Sequence, residues 1–238
     1  MIQIIPITDL PEVRPGDDLG VMLAREFEAG DVLVITQKIV SKAKGLLVDL
    51  AGVAPSAEAT RIAELTRKDP RLVELVLQES TAIVRAVPHV LITRHHSGCV
   101  MANSGIDQSN IGEGNAERVL LLPRDPDVCA ARISGQLGVA VVISDSFGRP
   151  WRHGVTNVAI GAAALPALVD HRGSLDRNGR TMEVTQIALA DQIAAAAGLA
   201  MGEGSEGIPA VIVRGLSWDA PDAPAAALVR PLSEDLFQ

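Results

Sequence analysis

Four acidic residues lie in three glycine-containing stretches that are far apart in the chain. Their carboxylates are candidates for metal binding or catalysis. Asp107 follows a glycine by two positions, Asp145 precedes a Ser-Phe-Gly-Arg run, and Glu203 and Glu206 alternate with glycines. Carboxylates held on tight backbone can converge on a hard divalent cation, which prefers oxygen ligands. The pattern therefore predicts a divalent-metal site that assists phosphate chemistry.

Asp145 follows residues 138–144, the clearest buried strand of the sequence, which we expect to end at Asp145. Arg149 and Arg152 come soon after it, and planar guanidinium groups beside a metal carboxylate suit recognition of phosphate or carboxylate. On this reasoning Asp145, Arg149 and Arg152 are the predicted catalytic residues. The alternative is a plain turn at Asp145, followed by a solvated loop in which Trp151 is a packing anchor.

Residues 202–207 formally match the dinucleotide fingerprint G-x-G-x-x-G. That motif requires a strand before it and a helix after it, whereas here an alanine-rich helix leads in and an apolar strand leads out. We therefore reject a Rossmann nucleotide site. A helix-terminating glycine at Gly202 followed by a turn is the structural alternative to a metal-bridged phosphate site.

Lys38 and Lys42 lie four positions apart, so they share one face if their segment is helical. They would supply cations for a polyphosphate, although lysines on a helix are often only solvated. Asp107 lies in the polar stretch 103–110, which taken alone is typical of a surface turn. Neither a G-x-x-x-x-G-K-[ST] phosphate loop nor a G-x-S-x-G nucleophile elbow occurs in the sequence.

Composition restricts the function classes. The 238 residues include 21 basic and 29 acidic side chains, a net charge of −8 that argues against a nucleic-acid-binding protein. Cys99 and Cys129 form no C-x-x-C pair, which argues against a zinc site. The first residues lack a secretory signal and no apolar run reaches the ~20 residues of a membrane span. We expect a cytoplasmic protein without nucleic-acid or membrane partners.

The elements that must position these residues alternate irregularly. Strands are expected at 31–36, 82–94, 138–144 and 210–215, and helices near 38–42, at 56–79 with a break at Pro70, at 128–137 and at 185–201. Without a long βαβα series, this order favours an α+β fold with largely antiparallel sheets.

Several ordered motifs together resemble the coenzyme F420:L-glutamate ligase family over nearly the whole chain. They are residues 10–19, 38–43, 105–110 and 145–152 and the loop around Glu203. The resemblance implies an unusual two-lobed ligase fold and a single catalytic domain, 1–238, without the nitroreductase-like domain that some members carry at the carboxyl end. It also implies a homodimer.

The activity that the resemblance implies is GTP-dependent amide formation. The γ-phosphoryl group would pass to a carboxylate of the deazaflavin precursor, and the amine of L-glutamate would attack the acyl phosphate. Two Mg²⁺ or Mn²⁺ ions per site and K⁺ are implied as cofactors. A metal-dependent phosphohydrolase and a nucleotide-binding protein without turnover are the alternatives.

By resemblance, Asp107 and Asp145 are ligands of one metal, and Ser146 and Glu203 are ligands of a second. The implied nucleotide contacts are Asp9, Leu10, Pro11, Glu12, Gln37, Lys38, Lys42, Asn110, Met201, Gly202, Glu203, Gly204, Ser205, Glu206, Gly207 and Ile208. The sequence departs from the family at Gln37 and Lys38, where some members have small hydroxyl residues, and at Ser146, where threonine is common. Of the four acids, Glu206 is interpreted as a loop residue beside the nucleotide.

Overall fold

A computed structural model describes residues 1–109 and 117–235. The strands are β1 Gln3–Pro6, β2 Val32–Thr36, β3 Leu47–Asp49, β4 Ser80–Val87, β5 Val90–His95, β6 Val100–Ala102, β7 Arg118–Leu120, β8 Ala140–Arg149, β9 Arg152–Ala163, β10 Val169–Asp170, β11 Gln186–Ile187 and β12 Ala210–Arg214. The α-helices are α1 Leu19–Met22, α2 Gln37–Ala43, α3 Ala57–Thr66, α4 Pro70–Gln78, α5 Pro126–Leu137 and α6 Leu189–Met201.

A five-stranded sheet with the order β1-β12-β2-β8-β9 forms the centre of the protein. Only β2 and β8 run parallel in it. Successive strand residues point to opposite faces, so Leu33 and Ile35 pack in one core with α5, while Val32 and Val34 pack in another with α6. Alanines of α6 fill the second core, as the low aromatic content of the sequence requires.

A smaller three-stranded sheet, β4-β5-β6, accompanies α3 and α4, which share a core of their own. The predicted break at Pro70 is confirmed. Pro70 is the first residue of α4, where a missing N–H is harmless, and the Asp69 carboxylate accepts from the amide of Arg71. Pairing is mostly antiparallel, which confirms the predicted α+β class.

The expectation that the strand ends at Asp145 is wrong. β8 continues to Arg149 because β9 folds back and pairs with it through Arg152. Burial changes near Asp145 instead, because strand residues 140 to 144 are all buried and those beyond are half-buried or exposed. Trp151, at the tip of this hairpin, is 83% exposed, so it is not a packing anchor.

The predicted helix at 185–201 begins only at Leu189, because Gln186 and Ile187 instead pair with β10. Within residues 1–109 and 117–235, no helix combines the length and the apolar character that crossing a bilayer requires.

Candidate active site

Several of the predicted site residues lie at one end of the central sheet, where β2 and β8 leave the core. Because β2 and β8 are parallel and pair Thr36 with Ser144, their next residues lie side by side. Helix α2 starts directly after Thr36, and the Thr36 amide donates to the carbonyl of Pro209 at 2.9 Å, at the end of the glycine loop. At this end of the sheet, α2 therefore lies close to the outer half of β8 and to the 202–209 loop.

Lys38, on α2, contacts the predicted metal ligand Asp107. Its Nζ lies 2.9 Å from Asp107 Oδ2 and donates to Ser109 Oγ at 3.3 Å. The Asp107 backbone is anchored by paired hydrogen bonds with Leu120, so it is held more firmly than a surface turn. Burial works to raise the pKa of Asp107, but hydrogen bonds from Lys38 and the Ser109 amide outweigh it and the pKa is lowered.

Ser146 and Glu203, the second predicted ligand pair, are in direct contact. Ser146 Oγ lies 2.7 Å from each carboxylate oxygen of Glu203. The close approach of α6 to β9 brings them together, because Gly198 of α6 lies against Asn157, the residue opposite Ser146. Glu203 follows immediately after Gly202, which ends α6 with a φ of 70°.

The ionised form of the Asp145 carboxyl is unfavourable in its surroundings. Burial of its carboxyl raises the pKa to about 7, and the charges of Asp107 and Glu203 add to the effect, while the Ser146 amide and Lys38 oppose it. Asp107, Asp145, Glu203 and Lys38 are therefore close enough to influence one another. A strongly raised pKa beside other charged groups is typical of functional sites.

Successive strand residues face opposite ways, so Asp145 and Ser146 point to opposite faces of the β8–β9 hairpin. The assignment of Asp107 and Asp145 to one metal, and of Ser146 and Glu203 to a second, stays a prediction. Among residues 1–109 and 117–235, no three His, Cys, Asp or Glu side chains form a ready-made metal cluster. The oxygen donors suit Mg²⁺ or Mn²⁺ in chemistry, because Mg²⁺ commonly takes one or two carboxylates and completes its shell with phosphate and water.

The predicted nucleotide contacts near the amino terminus also lie beside α2. Lys42 Nζ is 2.6 Å from Glu12 Oε1, and the lysine side chain is largely buried while the glutamate is exposed. Asp9 forms a longer pair of 3.5 Å with Arg25. Pro11 is exposed and Leu10 is half-buried. The structure thus brings the turn formed by residues 9–12 to Lys42, one helical turn from Lys38.

Other predicted nucleotide contacts differ in how accessible they are. Gln37 is buried, with its Oε1 accepting from Ser41 at 3.0 Å, and Met201 packs in the core. In the glycine loop, Glu206 folds back to accept from the Gly204 amide at 2.8 Å, in line with its interpretation as a loop residue. Ser205 and Gly207 are exposed and Ile208 is half-buried. Asn110 lies outside the described residues.

The predicted catalytic arginines lie at the tip of the β8–β9 hairpin, several residues beyond Asp145. Arg149 Nη2 donates to the carbonyl of His153 at 2.8 Å, and Arg152 is exposed. Sequence reasoning missed Ser109 and Asn157, whose amide Nδ2 is 3.5 Å from Ser146 Oγ. No local signal marks Asn157, because its place follows from the register of β9 on β8.

Comparison with known proteins agrees with the resemblance in sequence. The family model described as F420-0:Gamma-glutamyl ligase matches residues 8–215. The coenzyme F420:L-glutamate ligase of Methanopyrus kandleri is 44% identical, over 100% of this chain and 98% of its own length. That of Methanothermobacter thermautotrophicus is 41% identical, over 100% and 99%. That of Methanocaldococcus jannaschii is 38% identical, over 97% and 94%. The chain therefore belongs to the F420-0:gamma-glutamyl ligase family.

Proposed function

We propose that this protein is a ligase that joins L-glutamate to a precursor of coenzyme F420, using GTP. The observation that carries the proposal is family membership over residues 8–215, shared with relatives named for that activity along almost their whole lengths. The grouping of Lys38, Asp107, Asp145, Ser146 and Glu203 at one end of the sheet supports it, because phosphoryl transfer depends mainly on positioning and charge stabilisation.

The reaction that we propose has two stages. A carboxylate oxygen of the precursor takes the γ-phosphoryl group of GTP, which releases GDP and forms an acyl phosphate. The amine of L-glutamate then attacks the acyl carbon, expels phosphate and loses a proton to give the amide. The anionic carboxylate and triphosphate repel each other, so the site must supply positive charge to both.

Lys42 and Lys38 are cations that contact predicted nucleotide or metal ligands, Glu12 and Asp107. We propose that the polyphosphate competes with Glu12 for Lys42, while Lys38 continues to hold Asp107. Divalent ions, when bound, would be held by Asp107, Asp145, Ser146 and Glu203 and would neutralise charge on the phosphates. Arg149 and Arg152 are proposed to approach the substrates from the hairpin tip.

The test is a reaction containing GTP, Mn²⁺, L-glutamate and the deazaflavin precursor, followed by mass spectrometry of the precursor and a GDP assay. A mass increase of one glutamate residue with stoichiometric GDP is expected, and omission of any component should abolish it. Phosphate release without L-glutamate would indicate a phosphohydrolase instead. Thermal stabilisation by GTP without any product would indicate a nucleotide-binding protein.

Two further properties follow from the same proposal. K⁺ is expected to stimulate turnover, which replacement of K⁺ by Na⁺ at constant ionic strength would check. A homodimer is expected, with a solution mass of twice the 25.0 kDa of one chain by light scattering.

A further inference from the structure

A cavity of about 300 Å³ is lined by Phe147 and Val158, which are close neighbours of Asp145 in the β8–β9 hairpin. Its walls come from the β8–β9 hairpin, the β5–β6 turn, the start of α6 and the segment that follows β12. This volume is at the lower end of the range for small-molecule sites, so the cavity suits a ligand of amino-acid size better than a whole deazaflavin nucleotide.

One part of the cavity wall lies on the same face of the hairpin as the Asp145 carboxyl. Val158, which lines the cavity, is paired directly opposite Asp145, and directly opposite residues of antiparallel strands share a face. Phe147, a second lining residue, is two positions beyond Asp145 and so also shares that face. This part of the wall is therefore the one nearest to the proposed site of phosphoryl transfer.

Charged side chains occupy the walls of this otherwise apolar cavity. Arg94 of β5 is only 15% exposed, and Arg230 supplies a second guanidinium group. Asp191, at the start of α6, is half-buried, and its Oδ1 accepts from the Ala159 amide at 2.9 Å. The cavity wall thus carries two guanidinium groups and the carboxylate of Asp191. A second carboxylate comes from the carboxyl-terminal segment.

The acid of the carboxyl-terminal segment is Asp235, and its carboxylate forms an ion pair with Arg94. Arg94 Nη2 is 3.2 Å from Asp235 Oδ2, and its Nη1 donates to the carbonyl of Gly98 at 3.3 Å. The segment that carries Asp235 is held by Val229, which packs so closely on Gly98 that a Cβ there would lie 2.8 Å from it. A carboxylate of the chain itself is therefore already paired with Arg94 at the cavity wall.

We propose that this cavity binds the L-glutamate co-substrate, with its carboxylates on Arg94 and Arg230 and its ammonium group facing Asp191, and that Asp235 occupies Arg94 until L-glutamate displaces it. The inference rests on the proposed function and deepens it. A free dicarboxylic amino acid carries two anions and one cation, which is the complement of the two arginines and Asp191. Guanidinium groups bind carboxylates through paired hydrogen bonds, so the match is specific as well as electrostatic.

The experiment compares Arg94→Gln, Asp191→Asn and Asp235→Asn with the wild type. Arg85→Gln is the control, because Arg85 is exposed on β4 of the same small sheet and does not line the cavity. KM is measured separately for L-glutamate, for GTP and for the precursor. L-Glutamate is also titrated calorimetrically into each folded variant with GDP and Mn²⁺ present, which reports binding without turnover.

Arg94→Gln and Asp191→Asn should each raise the KM and Kd for L-glutamate about tenfold or more and leave the KM for GTP within twofold. Asp235→Asn should lower the Kd several-fold, because the competing carboxylate is gone, and it keeps the proposal testable if Arg94→Gln does not fold. Unchanged L-glutamate affinity in the folded variants would overturn the inference. A rise confined to the KM of the precursor would also overturn it and assign the cavity to the precursor's carboxylate.

Failure of the proposed function is distinguishable from failure of this inference. If the wild type forms no product, the ligase assignment is wrong, but the titration still decides whether L-glutamate occupies the cavity. If the wild type forms product and none of the folded cavity variants changes an L-glutamate constant, only the cavity assignment is wrong.

Discussion

Ser146 Oγ lies 2.7 Å from both carboxylate oxygens of Glu203, although the two residues are 57 positions apart in the chain. The contact joins a strand hairpin to a loop that follows a helix. Ser146 is half-buried and Glu203 is exposed, so the contact contributes little to the core. We interpret it as a pair of oxygen ligands held ready for a cation.

Replacement of Ser146 tests this pair. Ser146→Ala should lower kcat/KM about tenfold or more, because one oxygen ligand and the restraint on Glu203 are both lost. Ser146→Thr keeps the hydroxyl and should remain close to the wild type. Steady-state assays at several Mn²⁺ concentrations provide the measurement, and equal activities of the alanine and threonine variants would contradict the role.

A second prediction concerns how α6 positions Glu203. Gly198→Ala would place a Cβ 1.9 Å from Asn157 Oδ1, so either the Asn157 side chain or the helix must shift. Activity and the urea midpoint of unfolding should both fall. Gly135→Ala is the matched control, because nothing lies within 4 Å of its Cβ. Alanine should stabilise α5 there, by up to ~1 kcal/mol. A Gly198→Ala protein with wild-type activity would show that the close packing is dispensable.

Asp145→Asn should abolish ligase activity without loss of the fold. Burial of the carboxyl raises its pKa to about 7, and the charges of Asp107 and Glu203 add to the effect, so the native state gains nothing from the charge of Asp145. The midpoint of thermal unfolding at pH 8, measured with chelator present, should therefore be equal to or higher than that of the wild type. Near-normal turnover would refute the assignment of Asp145 to the site.

Lys42→Gln should raise the KM for GTP about tenfold, since Lys42 is the largely buried cation that we assign to the nucleotide. Lys44→Gln removes the same charge just beyond the end of α2, where Nζ lies 3.6 Å from Cys129 Sγ on another side of the helix. The control should keep the wild-type KM. Equal effects of the two variants would indicate a general charge effect rather than a contact.

The dependence of stability on pH should be sensitive to Asp31. Its side chain is fully buried and accepts from Arg214 Nε and Nη2, both at 2.8 Å, and the hydrogen bond with Arg214 lowers its pKa. Because the pKa of Asp31 is lower in the folded state, its charge contributes fully to folding stability above the unfolded-state pKa of about 4. The contribution is lost as the pH falls through the folded-state pKa.

Asp31→Asn should therefore cost about 2 kcal/mol of unfolding free energy at pH 7, and the difference should shrink below pH 4. Urea titrations across that range provide the measurement. Asp170→Asn, which breaks the exposed pair with Arg172, should change the midpoint little. A constant difference at all pH values would show that the Asp31 charge is not responsible.

Some local structure was predictable because short-range rules decide it. Proline at position 70 cannot continue a helix, and the buried run before Asp145 has the pattern of a central strand. The extension of β8 to Arg149 was not predictable from that run, because its outer half is held by pairing with β9 and carries no hydrophobic signal. The same pairing brings Asn157 beside Ser146, which no motif indicates.

The sequence by itself determined the family, the α+β class and which acids and lysines are candidates, because residue types, motif order and local propensity are properties of the chain. Only the tertiary structure decided which of them meet. The contacts of Lys38 with Asp107 and of Ser146 with Glu203 depend on strand register and on helix packing, which arise from burial across the whole molecule. For the same reason the carboxylate of Asp235 on Arg94, and the cavity lined by Phe147 and Val158, became visible only in three dimensions.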